Sequence, residues 1–366
     1  MLSLTRLAAA MLLIAACGCQ GVAPAAPPAI AQGDYPAVVA YLTQRIAHDL
    51  KAQRVPGLSI AIVDDQRTVW SGGFGYADSA RHRRASGDTL YRLGAISKIV
   101  TAAGVLRAAD EGRLSLDQPA ADALPPGRIE PRRDALHWLG ADPFTARRLL
   151  ALHPDTFEDT MGQARADMGY ALLGEMVAYA ADEPFESYLR RALLQPLNIP
   201  RAGFRLAAAG AEARALRAAG YRRGAPWLEH PQTNDAAEGL WASSAEMARF
   251  SSMLFGGGLY RGRRILNDES ARALLDLETV AHGIGLECRL ALSWLAAPCD
   301  EDGIAAMSLR EHRGATEAFR ARWLLAPREK LAVLVMSNAD NAEPLVASVS
   351  SLAMDLMRRA KGVPQQ

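Results

Sequence analysis

The convincing strand patterns of this 366-residue chain occur only towards its two ends. Near the start, 58–71 reads as a hairpin with its turn at 64–67, and 89–93 as a further short strand. Near the end, 319–325 and 331–337 read as two strands joined by a turn. Between them, 114–275 has helical spacing of its apolar residues and no convincing strand ladder. We therefore expect one sheet built from both ends of the chain, with a helical lobe inserted between them.

The predicted fold class is α/β in the α+β sense: an antiparallel β-sheet flanked by N- and C-terminal helices, with an inserted all-helical lobe. The flanking helices are expected at 34–52 and 344–359, and a further helix at 96–111 follows the early strands. The sheet lobe is assigned to 34–113 and 276–362, and the helical lobe to 114–275. A composition that is 50% hydrophobic can bury cores for two such lobes.

The first residues are typical of an export signal rather than of the fold. A charged start and a short apolar run precede Cys17, and residues 13–17 are similar to a bacterial lipobox. We therefore expect a signal peptide at 1–16, lipidation of Cys17, and a flexible Ala/Pro-rich tether at 17–33. The expected location is the periplasm, anchored to the outer membrane. An ordinary cleaved signal and a soluble periplasmic protein is the alternative.

The charge and cysteine content narrow the classes of partner. The 41 basic and 40 acidic residues nearly cancel, which gives no electrostatic footprint for nucleic acid. Only four of the basic residues are lysines, so each lysine stands out against 37 arginines.

Cys288 and Cys299 would form a disulfide or remain two buried thiols. No Cys/His spacing indicates zinc, and we expect no metal or cofactor.

A series of motifs along the body carries a resemblance to a known family. In chain order they are Val55-Pro56-Gly57, Asp88 to Gly94, Ser97-Lys98, Glu111 to Asp117, Gly169 to Gly174, Pro196-Leu197-Asn198, Gly239-Leu240, Ala245 to Phe250 and His312-Arg313-Gly314. In this order the chain resembles the serine β-lactamase and penicillin-binding-protein family, in its class C β-lactamase, D-alanyl-D-alanine carboxypeptidase and esterase branch. The resemblance implies an antiparallel sheet, a helical lobe and an active site between them.

The resemblance also implies acyl transfer by a serine at the start of a helix, with a lysine three residues later. The matching frame here is Ala95-Ile96-Ser97-Lys98, so alanine occupies the nucleophile position. Ser97 does not replace it simply, because it lies on a different helix face from Ala95. No Ser-x-x-Lys occurs in the chain.

A second motif of the family places a tyrosine two residues before an asparagine, ahead of the Gly-Tyr helix. The matching frame is Arg165-Ala166-Asp167, and no tyrosine occurs between Arg92 and Gly169. We predict a Lys98–Asp167 ion pair, since a buried ammonium must be paired. Arg165 either adds positive charge to the cleft or lies on a solvated loop.

The third motif of the family, a Lys/His-x-Gly strand, is matched by His312 and Gly314. The resemblance assigns the two backbone N–H groups of an oxyanion hole to Ala95 and Ala315. His312 either contacts a ligand or caps a strand edge.

These departures favour a catalytically inactive, exported member of the family with a cleft for a peptidoglycan-like or small acyl ligand. One rival is a working hydrolase of esters, D-Ala peptides or β-lactams that uses Ser97 or a water activated by Lys98. Another is a purely structural envelope lipoprotein with an occluded cleft. Membrane contact is expected only through the lipid anchor.

Overall fold

The computed structural model describes residues 26–125, 145–152, 162–204, 210–228, 235–275, 290–291, 294–297 and 309–363. The α-helices in these residues are α1 (Tyr35–Ala52), α2 (Ser97–Asp110), α3 (Ala146–Leu150), α4 (Gly162–Ala181), α5 (Phe185–Leu189), α6 (Ala211–Leu216), α7 (Asp235–Glu238), α8 (Ser244–Phe255), α9 (Asp268–Ala273) and α10 (Glu343–Ala360). A π-helical turn, Arg190–Leu194, continues α5, and 3₁₀ turns occur at Gly94–Ile96 and Asp340–Ala342. The strands are β1 (Gly57–Asp64), β2 (Arg67–Asp78), β3 (Arg83–Arg84), β4 (Leu90–Arg92), β5 (Gly220–Arg222), β6 (Ala225–Trp227), β7 (Trp241–Ser243), β8 (Leu259–Tyr260), β9 (Arg263–Arg264), β10 (Leu290–Ala291), β11 (Trp294–Ala297), β12 (Leu309–Ala315), β13 (Arg320–Ala326) and β14 (Leu331–Ser337).

The main sheet joins the two ends of the chain, which confirms the predicted fold class. Its eight strands lie in the order β10-β11-β12-β13-β14-β1-β2-β3. The seam between the ends is the antiparallel pair β1–β14, whose register runs from Leu58 opposite Ser337 to Asp64 opposite Leu331. Every residue of β14 is buried, so this strand is the centre of the core.

The two faces of the sheet pack against different helices. Leu58, Ile60 and Ile62 of β1 belong to the core under α1 and α10, whereas Ala61 and Val63 belong to the core that includes α2 and α8. Alternate residues of a strand point to opposite faces, so β1 contributes to both cores. Burying each such Leu or Ile side chain stabilises the fold by about 1.5–3 kcal/mol.

The glycines of β2 allow neighbouring segments of backbone to approach this strand closely, as expected from the run of glycines in the sequence. A methyl group on Gly73 would lie 2.3 Å from the backbone nitrogen of Ser86, and one on Gly75 would lie 2.2 Å from the Pro56 carbonyl oxygen. Both distances are too short for any side chain, so these positions require glycine.

The expectation that 114–275 lacks strand pairing is wrong in detail. β7 pairs with β4, and β5–β6 and β8–β9 form two small hairpins. These strands are two or three residues long, too short to produce a recognisable period of two. Helix α8 lies in the same stretch, yet it packs across β1, β2 and β14. The segment therefore also supplies part of the cover of the sheet.

In the described part of the chain, none of the helices combines the length and apolar character needed to cross a membrane. The expected lipidation site Cys17 and the expected disulfide cysteines Cys288 and Cys299 lie outside the described residues. These expectations therefore stay predictions.

Candidate active-site cleft

Ala95 lies at the start of α2, beside the end of β12. It is the middle residue of a 3₁₀ turn, Gly94–Ile96, that leads directly into the helix, and it is partly exposed while its two neighbours are buried. Gly94 adopts a φ of +52°, which favours glycine, and a methyl group there would lie 3.0 Å from the Ala315 nitrogen. The turn that contains Ala95 thus packs closely against Ala315 at the end of β12.

Gly314 holds β12 against this turn. A methyl group on Gly314 would lie 1.9 Å from the Leu93 carbonyl oxygen. Glycine is therefore the residue that lets the strand and the helix start approach each other so closely. The His-x-Gly pattern in the sequence marks this approach.

The predicted ion pair between Lys98 and Asp167 is confirmed. The Lys98 side chain is 1% exposed and donates to Asp167 Oδ1 at 2.5 Å. Its ammonium also lies 6.0 Å from the centre of the Tyr170 ring. A lysine buried to this degree is tolerated only with such partners, because an isolated buried charge is very costly.

Gln163 and Glu238 complete the polar cluster, and neither residue was expected there from the sequence. Gln163 Nε2 donates to Asp167 Oδ1 at 2.8 Å and lies 3.5 Å from Glu238 Oε1. Gln163 precedes Asp167 by four residues on α4, so the two share a helix face. The i, i+4 spacing is the signal that could have identified Gln163. Glu238 comes from α7, far away in sequence, and no local pattern indicates it.

Burial and the neighbouring Asp167 carboxylate raise the pKa of Glu238 above the usual value for a glutamic acid. Lys98 and Arg92 oppose this rise, and Glu317 adds to it. Both effects disfavour the ionised form in a partly dry site. The cleft therefore holds two carboxyl groups close together beside one lysine already engaged by Asp167.

Ser97 has a structural role in the described geometry. Its side chain is fully buried, its hydroxyl donates to the Gly94 carbonyl at 2.6 Å, and it accepts from the Leu240 N–H at 3.0 Å. A serine hydroxyl has one proton to donate, and here that proton is used within the turn. The hydroxyl therefore ties the start of α2 to the segment that leads into β7.

Arg165 lies within helix α4, although the resemblance places its frame ahead of a helix. It precedes Asp167 by two residues, and positions two apart on a helix do not share a face. Asp167 faces Lys98, so Arg165 projects from another side of α4, where it is partly buried. The structure thus groups Asp167 with Gln163 rather than with Arg165.

His312 is buried within β12, with its Nδ1 3.0 Å from the Arg313 carbonyl oxygen. It alternates with Gly314, so both residues belong to the strand face that meets the start of α2. It lies inside the strand and does not cap its edge. Within the described residues, no group of three or more His, Cys, Asp or Glu side chains could hold a metal ion.

Comparison with known proteins gives a consistent result. A family model described as Beta-lactamase matches residues 42–355. Protein flp of Staphylococcus aureus (strain NCTC 8325 / PS 47) is 24% identical over 190 residues, which cover 44% of this chain and 37% of that protein. The putative penicillin-binding protein PbpX of Bacillus subtilis (strain 168) is 24% identical over 246 residues, 59% of each chain. The chain thus spans less than two thirds of either relative.

Three solved structures share the fold. The octameric penicillin-binding protein homologue from Pyrococcus abyssi has a TM-score of 0.66 at 22% identity and covers 87% of this chain and 77% of its own. A class C β-lactamase from Rhodobacter sphaeroides has a TM-score of 0.66 at 20% identity and covers 87% of this chain and 98% of its own. A β-lactamase/D-alanine carboxypeptidase from Pseudomonas syringae has a TM-score of 0.65 at 19% identity and covers 91% of this chain and 99% of its own.

Proposed function

Because the chain belongs to the beta-lactamase family of serine hydrolases, we propose that it is a catalytically inactive member that binds a ligand in the family's cleft without cleaving it. The observation that carries this proposal is the alanine at position 95. It stands at the start of α2, three residues before the buried Lys98, where the family resemblance places the nucleophile.

Neither of the two groups that could replace the missing nucleophile is available for that step. The Ser97 proton is donated to Gly94 within the turn. The Lys98 ammonium donates to Asp167, and an ammonium carries three donors and no acceptor. Removing the nucleophile of a serine hydrolase costs on the order of 10⁶ in rate, about 8 kcal/mol of barrier, and backbone donors do not restore it.

Labelling with active-site reagents tests this proposal against the rival of a working hydrolase that uses Ser97 as its nucleophile. The protein is incubated with a fluorescent penicillin or a fluorescent fluorophosphonate and run on a denaturing gel, beside the Ser97→Ala variant. We expect no label on either protein. Stoichiometric labelling of the wild type that disappears in Ser97→Ala would refute the proposal and identify Ser97 as the nucleophile.

The ligand we propose is a peptidoglycan-like or small acyl molecule of the cell envelope. The proposal is supported by the close packing of the turn Gly94–Ile96 against Ala315, where the family resemblance expects the acyl site. A thermal-shift screen with soluble peptidoglycan fragments tests it, because a ligand that binds only the folded state raises the melting temperature. A fragment that stabilises the wild type supports a binding role, whereas no shift by any fragment supports a structural lipoprotein with an occluded cleft.

We further propose that the protein is exported and anchored to the outer membrane through a lipid on Cys17. The lipobox-like residues 13–17 support this. Fractionation of cells that express the wild type or Cys17→Ser tests it. We expect the wild type with outer membranes and the variant outside that fraction. A wild type found wholly in the soluble periplasm would overturn the anchor.

A further inference from the structure

A groove lies on the opposite face of the sheet from the cleft, where the end of α1 leaves part of β2 uncovered. It has a volume of about 480 Å³, within the range of about 300–1,000 Å³ typical of small-molecule sites. Its apolar lining includes Leu50 near the end of α1, Val55 just after that helix, and Phe74 from β2. Phe74 lies opposite Leu58, on the face that α1 and α10 cover.

The charged residues that line this groove are all cations: Lys51, Arg54 and Arg84. All three are exposed, and in the part of the chain that the structure describes none has a carboxylate partner. The other lysines of the chain are paired: Lys98 with Asp167, Lys330 with Asp65 and Lys361 with Asp64. Of the four lysines, Lys51 is thus the one without a carboxylate partner among the described residues.

Arg54 occupies a position that favours glycine. It follows the end of α1 with a φ of +53°, and the bonds Arg54 N–H to Lys51 O and Val55 N–H to Leu50 O complete a Schellman motif. Glycine is the usual residue there because it carries no Cβ penalty. Arg54 therefore places a cation at this rim, at a position where glycine would suit the backbone better.

The backbone around the groove offers few free acceptors. The carbonyl oxygens of Leu50, Lys51, Pro56 and Gly75 already accept from backbone N–H groups at 2.7–3.2 Å. A peptide bound here would bury its own N–H groups against these used acceptors, which is unfavourable. An occupant with an apolar body and a single anionic head makes no such demand. The surface is also concave, which suits one inserted chain better than a flat bilayer.

We propose that this groove binds a single-chain fatty acid, with its acyl chain along the apolar surface and its carboxylate among Lys51, Arg54 and Arg84. Guanidinium groups bind carboxylates through paired hydrogen bonds, and the Arg84 side chain is already held over the Tyr76 ring at 4.3 Å. The volume suits one acyl chain rather than the two of a phospholipid. This site is independent of the cleft and of the proposed loss of catalysis.

Calorimetric titration with three detergent-like probes below their critical micelle concentrations tests the proposal. Laurate, dodecyl maltoside and dodecyltrimethylammonium share one chain and differ in head charge. We expect the wild type to bind laurate and to bind the neutral and cationic probes at least roughly tenfold more weakly. Equal binding of all three would overturn the proposal, as would no binding of laurate.

Two variants locate the site. K51E/R54E/R84E is expected to weaken laurate binding by roughly tenfold to a hundredfold, while the matched exposed control R222E/R261E/R263E leaves it unchanged. Ala47→Trp, which fills the groove from α1 and keeps its charges, is also expected to abolish binding. Laurate binding that survives both groove variants would overturn the proposal, and so would binding of a soluble acidic peptide in preference to laurate.

Arg54→Gly provides a test that does not depend on a loss of folding. Glycine at this φ is expected to raise the melting temperature slightly and at the same time to weaken laurate binding. A variant that is more stable and binds laurate as tightly as the wild type would show that Arg54 takes no part in the site.

Discussion

Replacing Asp167 by asparagine tests whether the Lys98–Asp167 pair holds the cleft together. The variant removes the negative charge beside an ammonium that is 1% exposed. Breaking a buried pair by removing one partner costs about 3–5 kcal/mol, because the other charge stays buried. The asparagine oxygen still accepts a hydrogen bond, and Glu238 remains nearby, so we expect the lower end, about 3 kcal/mol. In a chain of this size each kcal/mol lowers the melting temperature by roughly 1.5 °C.

Urea unfolding followed by tryptophan fluorescence measures this loss. A matched control is Asp65→Asn, which breaks the exposed Lys330–Asp65 pair, where the two side chains are 48% and 47% exposed and 3.3 Å apart. Exposed pairs contribute about 0–1 kcal/mol, so the control should change the free energy of unfolding by less than that. Comparing the two Asp→Asn variants separates the effect of burial on the free energy of unfolding from the effect of removing a charge.

A double-mutant cycle with Lys98→Met completes the test. If the two charges stabilise each other, the double variant loses less free energy than the sum of the single variants, with a coupling of about 2 kcal/mol. A free energy of unfolding of Asp167→Asn within about 0.5 kcal/mol of the wild type, or a cycle without coupling, would show that the pair does not stabilise the cleft.

Three further predictions concern the cleft. Ala95→Ser alone should gain little penicillin labelling, because the Lys98 ammonium donates to Asp167 and does not activate the new serine as a base. Ala95→Ser combined with Asp167→Asn should be labelled at least roughly tenfold faster, and equal labelling rates would contradict this. Glu238→Gln should raise the melting temperature at pH 7, because the raised pKa of Glu238 in the folded state makes its ionised form destabilising. This gain should vanish as the pH falls below the ordinary pKa of a glutamic acid, and a gain that persists in acid would refute the prediction. Gly314→Ala should cost about 1–3 kcal/mol in urea unfolding by forcing β12 away from the start of α2. Gly210→Ala, whose added methyl has no described atom within 4 Å, should cost far less; similar losses would argue against the close approach.

Regular elements with long apolar patterns could be predicted from the sequence. The last strand along the chain, expected at 331–337, agrees with β14 residue for residue, and the helix expected at 344–359 differs from α10 by one residue at each end. These segments pack on one face or are buried on both, so their hydrophobic pattern determines their structure. Short strands such as β7 are determined by their partners, and no local signal predicts them.

The candidate site could be predicted only in part for the same reason. The Lys98–Asp167 pair followed from the positions of two motifs and the cost of an unpaired buried charge. Glu238 comes near Asp167 through the packing of α7 against α4, a contact between segments about 70 residues apart. Arg165 was expected ahead of a helix, but α4 begins at Gly162, and the helical period separates it from Asp167.

Intact-mass spectrometry of the wild-type protein tests whether any side chain of the cleft still acts as a nucleophile. The protein is incubated to completion with excess penicillin and, separately, with a fluorophosphonate, and its mass is then measured. A chain with alanine at the nucleophile position and the Ser97 hydroxyl bonded within the turn should keep its unmodified mass in both reactions. A full shift by the mass of one acyl or phosphonyl group would contradict the account, and its loss in Ser97→Ala would show which residue reacts.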